Sequence, residues 1–141
     1  MLSLLPTLGT LPRVQPSPLV SRRLALGPDL LPVGMAFAGQ TFPISFCRLT
    51  SLPDGSTGLV VTIRNQGLLG APAFITRVLI GNSMVDRAMG LLAAGADESF
   101  VVRIPPGSFH PDLSFRIIAD VNNVVADLDR TNNTATGVCI G

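Results

Sequence analysis

From residue 58 onward, apolar side chains recur at every second position in short runs broken by turn formers. "GLVVTIRN" (58–65) sets Leu59, Val61 and Ile63 on one face and Val60, Thr62 and Arg64 on the other. That period of two belongs to a half-buried strand and not to a helix. "SFVVRI" (99–104) turns Phe100, Val102 and Ile104 inward and Arg103 outward, and "LSFRIIAD" (113–120) repeats the scheme with Leu113, Phe115, Ile117 and Ala119. "AFITRVLI" (73–80), "ISFCRL" (44–49) and "TATGVCI" (134–140) alternate less cleanly and complete the set. Turn signals fall between them: "PDGS" from 53, "NQG" from 65, "GN" at 81, "PPGS" from 105 and "NN" at 122. Only "MGLLAAGADE" (89–98) has room for a helical turn, and its glycines make it a loop. About seven strands at intervals of roughly 8 to 15 residues predict an all-β fold, an antiparallel β-sandwich of two sheets.

Before residue 28 neither period holds. Residues 1–27 contain Pro6, Pro12, Pro16 and Pro18 with Leu between them, and read as an extended N-terminal arm preceding a domain over 28–141. The apolar start "MLSLLPTLGTLP" lacks a basic leader and is interrupted by Pro and Gly. "SRRLAL" (21–26) and "AFA" (36–38) imitate parts of an export signal, but Pro28, Asp29 and Pro32 between them spoil an apolar stretch, so no signal peptide is assigned. No run is long and apolar enough for a transmembrane segment.

Composition narrows the partners. The chain of 141 residues suits one domain, and 47% hydrophobic against 13% charged residues, with 14 Gly and 12 Pro, fits short strands or a subunit that hides surface in an assembly. A net charge of +1 gives no footprint for nucleic acid or an anionic membrane. Every basic side chain is Arg, to which no chemistry attaches, and Trp and Tyr are absent. Cys47 and Cys139 match no metal-ligand spacing. They read either as two buried free thiols or as one disulfide tying the first part of the domain to its last strand.

The ordered set "LVVTIRNQG", "FITRVLI", "LLAAGADESF" and "FRIIADVNNVVADLDRTNN" resembles CARDB, the cell-adhesion-related domain found in bacteria. That family has a strand ending in a V-x-N-x-G-like turn, a mid-domain "L.aG.s" turn, and a last hairpin whose acidic stretch ends in Asn-Asn. The similarity spans about residues 28–141, and "D-x-D-x-x-N-N" is its most specific phrase. The family's usual Glu falls at Asp127 here, a carboxylate one methylene shorter. The resemblance implies an immunoglobulin-like sandwich and a non-catalytic role in surface or extracellular proteins, as a spacer or adhesive unit.

Catalytic chemistry finds no constellation. His110, the lone histidine, precedes Pro111 in a loop, and no nucleophile or metalloprotease motif accompanies it. "GLLGAP" (67–72) and "GLLAAGA" (90–96) lack the Lys-Ser/Thr of a phosphate loop. Asn132 opens an N-x-T sequon, relevant only in a glycosylating pathway. The acidic hairpin is the one place with a ligand reading: Asp120, Asp127, Asp129 and Asn132, with Asn122 and Asn133 nearby, supply oxygens for calcium. Counted as an EF-hand from Asp127, however, Asn132 stands where Gly is required and Val138 where Glu belongs. The favoured reading is that these side chains hold a turn, with calcium as the alternative and no other cofactor.

Two functions follow, neither enzymatic. One is a structural subunit of a surface assembly, such as a virion decoration protein or an extracellular filament, whose arm lies on a neighbouring copy or another structural protein. The other is a cell-surface adhesion or spacer module binding a protein or glycan through its loops. Both place the chain outside the cell, at a cell surface or on a virion.

Overall fold

Strands with one dry face must meet another dry face, and two sheets do so here. The structure is a computed structural model and describes residues 26–35 and 45–141. The predicted arm therefore lies outside the described residues up to position 25. In chain order the strands are β1 (Leu30–Pro32), β2 (Leu49–Ser51), β3 (Thr57–Asn65), β4 (Phe74–Ile80), β5 (Ser83–Met89), β6 (Asp97–Arg103), β7 (Leu113–Ile118) and β8 (Thr134–Cys139). All pairings between them are antiparallel. In the first sheet β6 lies along one edge of β3, while β1 and β2 share the other edge. The second sheet runs β5-β4-β7-β8.

The core is the set of alternate positions that the sequence pattern selected. Leu59, Val61 and Ile63 of β3 and Phe100 and Val102 of β6 face Val78 and Ile80 of β4 and Leu113, Phe115 and Ile117 of β7, all buried. Each such side chain contributes about 1.5–3 kcal/mol on leaving water. The two open flanks of the sandwich are sealed differently. On one, Cys47, just before β2, is bonded to Cys139 at the end of β8, with 5.3 Å between Cα atoms. On the other, Arg87 of β5 lays its guanidinium over the Phe100 ring of β6, 5.1 Å from the centroid, a cation–π lid over the core's edge.

Three elements differ from the pattern-based expectation. β5 was not anticipated: as an edge strand it is wet on both faces, with only Met89 buried, so it shows no alternation. A two-residue Gly81-Asn82 loop pairs Ile80 with Ser83 and builds it directly onto β4. β1 is only three residues long and ends in proline, below the length at which a period is visible. Of "ISFCRL", residues 45–48 are not in a strand and only Leu49 enters one, as the first residue of β2. Ser45 makes one isolated bridge to Met35, and its hydroxyl takes the Cys47 amide at 3.1 Å. The chain rejoins the edge of β3 only at Arg48, whose carbonyl accepts from Val60 at 2.8 Å.

The outer faces carry Arg–Asp pairs across strands. Arg64 grips Asp97 through Nε at 2.7 Å and Nη2 at 3.1 Å, and Arg77 grips Asp86 at 2.8 and 3.0 Å. These bonds hold both carboxyls below the usual aspartate value. Asp54, in the β2–β3 turn, is held low first by the Ser56 hydroxyl and amide and then by Arg103. A depressed folded-state pKa contributes stability above the unfolded value of 3.8, lost as pH falls through the folded one. The urea midpoint should therefore be flat with respect to these groups above about pH 4 and fall below it. Because the pairs are exposed, the fall should be small and shrink in high salt. A midpoint unchanged down to pH 2 would contradict this account.

Candidate functional site

The end of the sandwich where β3 stops and β4, β6 and β8 begin gathers most of the residues that the sequence singled out. Asn65 closes β3 and is fully buried. Its Oδ1 accepts from the amides of Asp29 and Gly67, both at 3.0 Å, and its Nδ2 donates to the carbonyls of Leu69 at 2.8 Å and Leu92 at 3.1 Å. One side chain thus ties together the start of β1, the turn after β3 and the loop before β6. Gly67 stands two residues on because a Cβ there would run into the Gly27 carbonyl oxygen and come within 2.7 Å of the Asp29 nitrogen. The V-x-N-x-G-like turn is therefore a close backbone crossing held by a saturated amide.

The acidic hairpin packs against the same crossing. Asp120 has a left-handed backbone, φ 52°, and is buried. Its Oδ1 takes the Val124 amide at 3.0 Å, and its Oδ2 takes the Val125 amide at 2.9 Å and Arg130 Nη1 at 3.3 Å. Arg130 also donates to Asn123 Oδ1 at 2.9 Å and to the Val125 carbonyl. Asp127 gives Oδ1 to the Asp129 amide at 2.9 Å and Oδ2 to the Leu30 amide at 3.0 Å and Asn133 Nδ2 at 3.2 Å. Asp129 caps the 3-10 turn Arg130–Asn132 by accepting from the amide and hydroxyl of Thr131. Asn132 reaches back to Asp29 Oδ1 at 3.1 Å, and Asn122 is exposed.

These contacts bear directly on the calcium alternative. A cation needs lone pairs that point into one space. Here the carboxylates of Asp120, Asp127 and Asp129 each accept at least two hydrogen bonds, mostly from backbone N–H groups. Among the described residues no three acidic, His or Cys side chains converge to hold a metal. As arranged, the carboxylates of Asp120, Asp127 and Asp129 are engaged in a hydrogen-bonded turn, while Asn132 Oδ1 and Asn133 Oδ1 are buried beside them without a hydrogen-bond partner. Arg130 and Asp29 were not singled out from the sequence as site residues: Arg130 bonds Asp120, Asn123 and Val125 within its own loop, whereas the Asn132–Asp29 bond spans 103 residues.

An apolar collar surrounds this polar crossing. Leu26, Leu68, Leu69, Leu91 and Leu128 are between 46% and 75% exposed. The Gly27 carbonyl accepts from the Leu68 and Leu69 amides, and Leu128 packs over Gly27, so these residues share one surface. Leu91 joins them through its neighbour Leu92, bridged to Ala71 and bonded to Asn65. His110 lies at the opposite end, beside Pro105–Ser108, with no acid–base partner from the hairpin.

Comparison with known proteins agrees with this architecture. A family model described as CARDB matches residues 51–137. Among solved structures, the chain is similar to a domain of a candidate cell-surface protein from Methanosarcina acetivorans, with 19% identity, 82% of this chain and 92% of that chain covered, and a TM-score of 0.59. It is also similar to the CARDB domain of a Pyrococcus furiosus protein solved in complex with di-metal ions, with 18% identity, coverage of 81% and 88%, and a TM-score of 0.55. At these identities the likeness is one of fold. No curated protein matches the chain. No helix among the described residues is long and apolar enough to cross a membrane.

Proposed function

The chain belongs to the CARDB family, and from that premise we propose that it is a subunit of a surface assembly whose N-terminal arm lies on a neighbouring subunit. The family is one of non-catalytic, immunoglobulin-like, adhesion-related domains of the cell surface. The observation that carries the finer reading is that the sandwich is complete without its arm. Its core is closed on one flank by Cys47–Cys139 and on the other by Arg87 over Phe100. Residues 1–25 carry seven Leu, whose burial favours contact with another surface. The edges of β5 and β6 each carry an inward-pointing charge, Arg87 and Glu98, a device that discourages strand addition along that flank. The chain acts through protein contacts and not through catalysis, outside the cell, as part of a virion coat or an extracellular filament.

A shallow cleft of about 200 Å³ on the outer face of the first sheet, lined by Met35, Phe46, Arg48, Thr62 and Ser99 among others, favours a second reading. In that reading the chain is a spacer or adhesive module that takes a protein or glycan ligand.

Deleting residues 1–25 separates the two. The cut stops before Leu26 because the Gly27 carbonyl belongs to the sandwich. An assembly subunit should lose self-association while its thermal unfolding stays where it was. Undiminished association after the deletion would reject the arm's role and leave the adhesive module.

A further inference from the structure

We propose that the acidic, leucine-collared end of the sandwich is the surface that receives residues 1–25 of a second copy, so that two chains exchange arms reciprocally. This rests on the arm-on-neighbour reading above and specifies where the arm binds. Three observations converge on that end. The first is the collar itself: Leu26, Leu68, Leu69 and Leu128 are exposed around the Gly27 backbone, with exposed Leu91 next to Leu92 at the same end, and single exposed leucines are ordinary where a grouped set is not. The second is charge. Asp29, Asp97, Glu98, Asp127 and Asp129 lie at that end, where the basic side chains among the described residues are Arg64 and Arg130; Arg64 pairs with Asp97 and Arg130 with the buried Asp120, and Glu98 makes no ion pair there. The arm is the complement, with Leu2, Leu4, Leu5, Leu8 and Leu11 near its start, Arg13, Arg22 and Arg23 behind them, and no acidic residue.

The third observation is where the arm joins. Leu26 belongs to the collar, so residues 1–25 join the described chain at the receiving surface. Leu11 stands 15 residues before Leu26, and at about 3.1 Å per residue for an extended chain a segment of that length, about 45 Å, is long enough to reach a second copy. Because the root of the arm and the receiving surface are at the same end, the exchange is mutual and closes on a two-fold axis as a pair.

Sedimentation velocity of the full-length chain tests this with two charge variants, Leu68→Asp with Leu91→Asp on the collar, and Arg13→Glu with Arg22→Glu and Arg23→Glu on the arm. Both collar positions are exposed, so both variants should keep the wild-type circular dichroism. The wild type should sediment as a pair, and each variant should raise the dissociation constant at least tenfold. If the arm variant dissociates and the collar variant stays paired, the arm binds a neighbour elsewhere and this surface is rejected while the parent reading stands. If neither variant alters a pair, both are rejected. A monomeric wild type whose arm gains protease sensitivity only in the collar variant would mean that the arm covers its own collar, overturning the exchange.

Discussion

Replacing Asn65 by Ala should destabilise the domain by about 4 kcal/mol, on the basis of roughly 1 kcal/mol or more for each buried partner left without a hydrogen bond. Four partners are at stake: the amides of Asp29 and Gly67 and the carbonyls of Leu69 and Leu92. None can turn to water without opening the crossing, because Asn65 is fully buried and Gly67 is pressed against the Gly27–Asp29 backbone. Against a typical total of about 5–15 kcal/mol, this is a large share of the domain's stability. Asn65→Asp separates the donor role from the acceptor role. It keeps an oxygen for the two amides but sets another against the two carbonyls, so at neutral pH it should be no better than Ala. It should recover in part in acid, when a protonated carboxyl can donate to one carbonyl. Urea denaturation of the three proteins measures the effect, and a loss below 1 kcal/mol for the alanine variant would mean that the crossing is held by packing alone.

That residue also marks what the sequence could and could not reveal. β3, β6 and β7 were legible because each has one mostly dry face, and alternation records burial directly. β5 left no trace because an edge strand with both faces wet has no reason to alternate. "ISFCRL" misled for the opposite reason. Phe46 and Cys47 are apolar because they pack against the core and carry the disulfide, not because they belong to a ladder. At the acidic end, "NQG" showed a turn but not its reach, since two of the four Asn65 contacts, to Asp29 and Leu92, come from 36 and 27 residues away. Asp120, Asp127 and Asn132 were visible as oxygen-bearing side chains. What decided their use was which amides surround them, and the Leu30 amide on Asp127 comes from 97 residues away. Side-chain chemistry was readable, but its partners were set by topology.

Opening the Cys47–Cys139 bond should cost about 4.5 kcal/mol, the chain-entropy value for a cross-link spanning 92 residues. The link joins the start of β2 to the end of β8, the edge strands of opposite sheets on one flank. In the unfolded chain it therefore holds nearly the whole domain in one loop. Cys47→Ala with Cys139→Ala is the cleaner variant, because Cys139 is buried and a serine there would add an unpaired hydroxyl. The variant's urea midpoint should fall, and its denaturant slope should rise, because an unfolded chain without the link expands and exposes more surface. Asn65→Ala should lower the midpoint without that rise in slope, since it acts on the folded crossing and leaves the unfolded loop closed. Adding reductant to the wild type after unfolding should reproduce the double variant, and a wild-type midpoint and slope indifferent to reductant would contradict the cross-link's role. Such a bond persists in an oxidising compartment. The same measurement made on protein purified without reductant therefore bears on the surface location, because a chain that already matched the double variant would have folded with its thiols free.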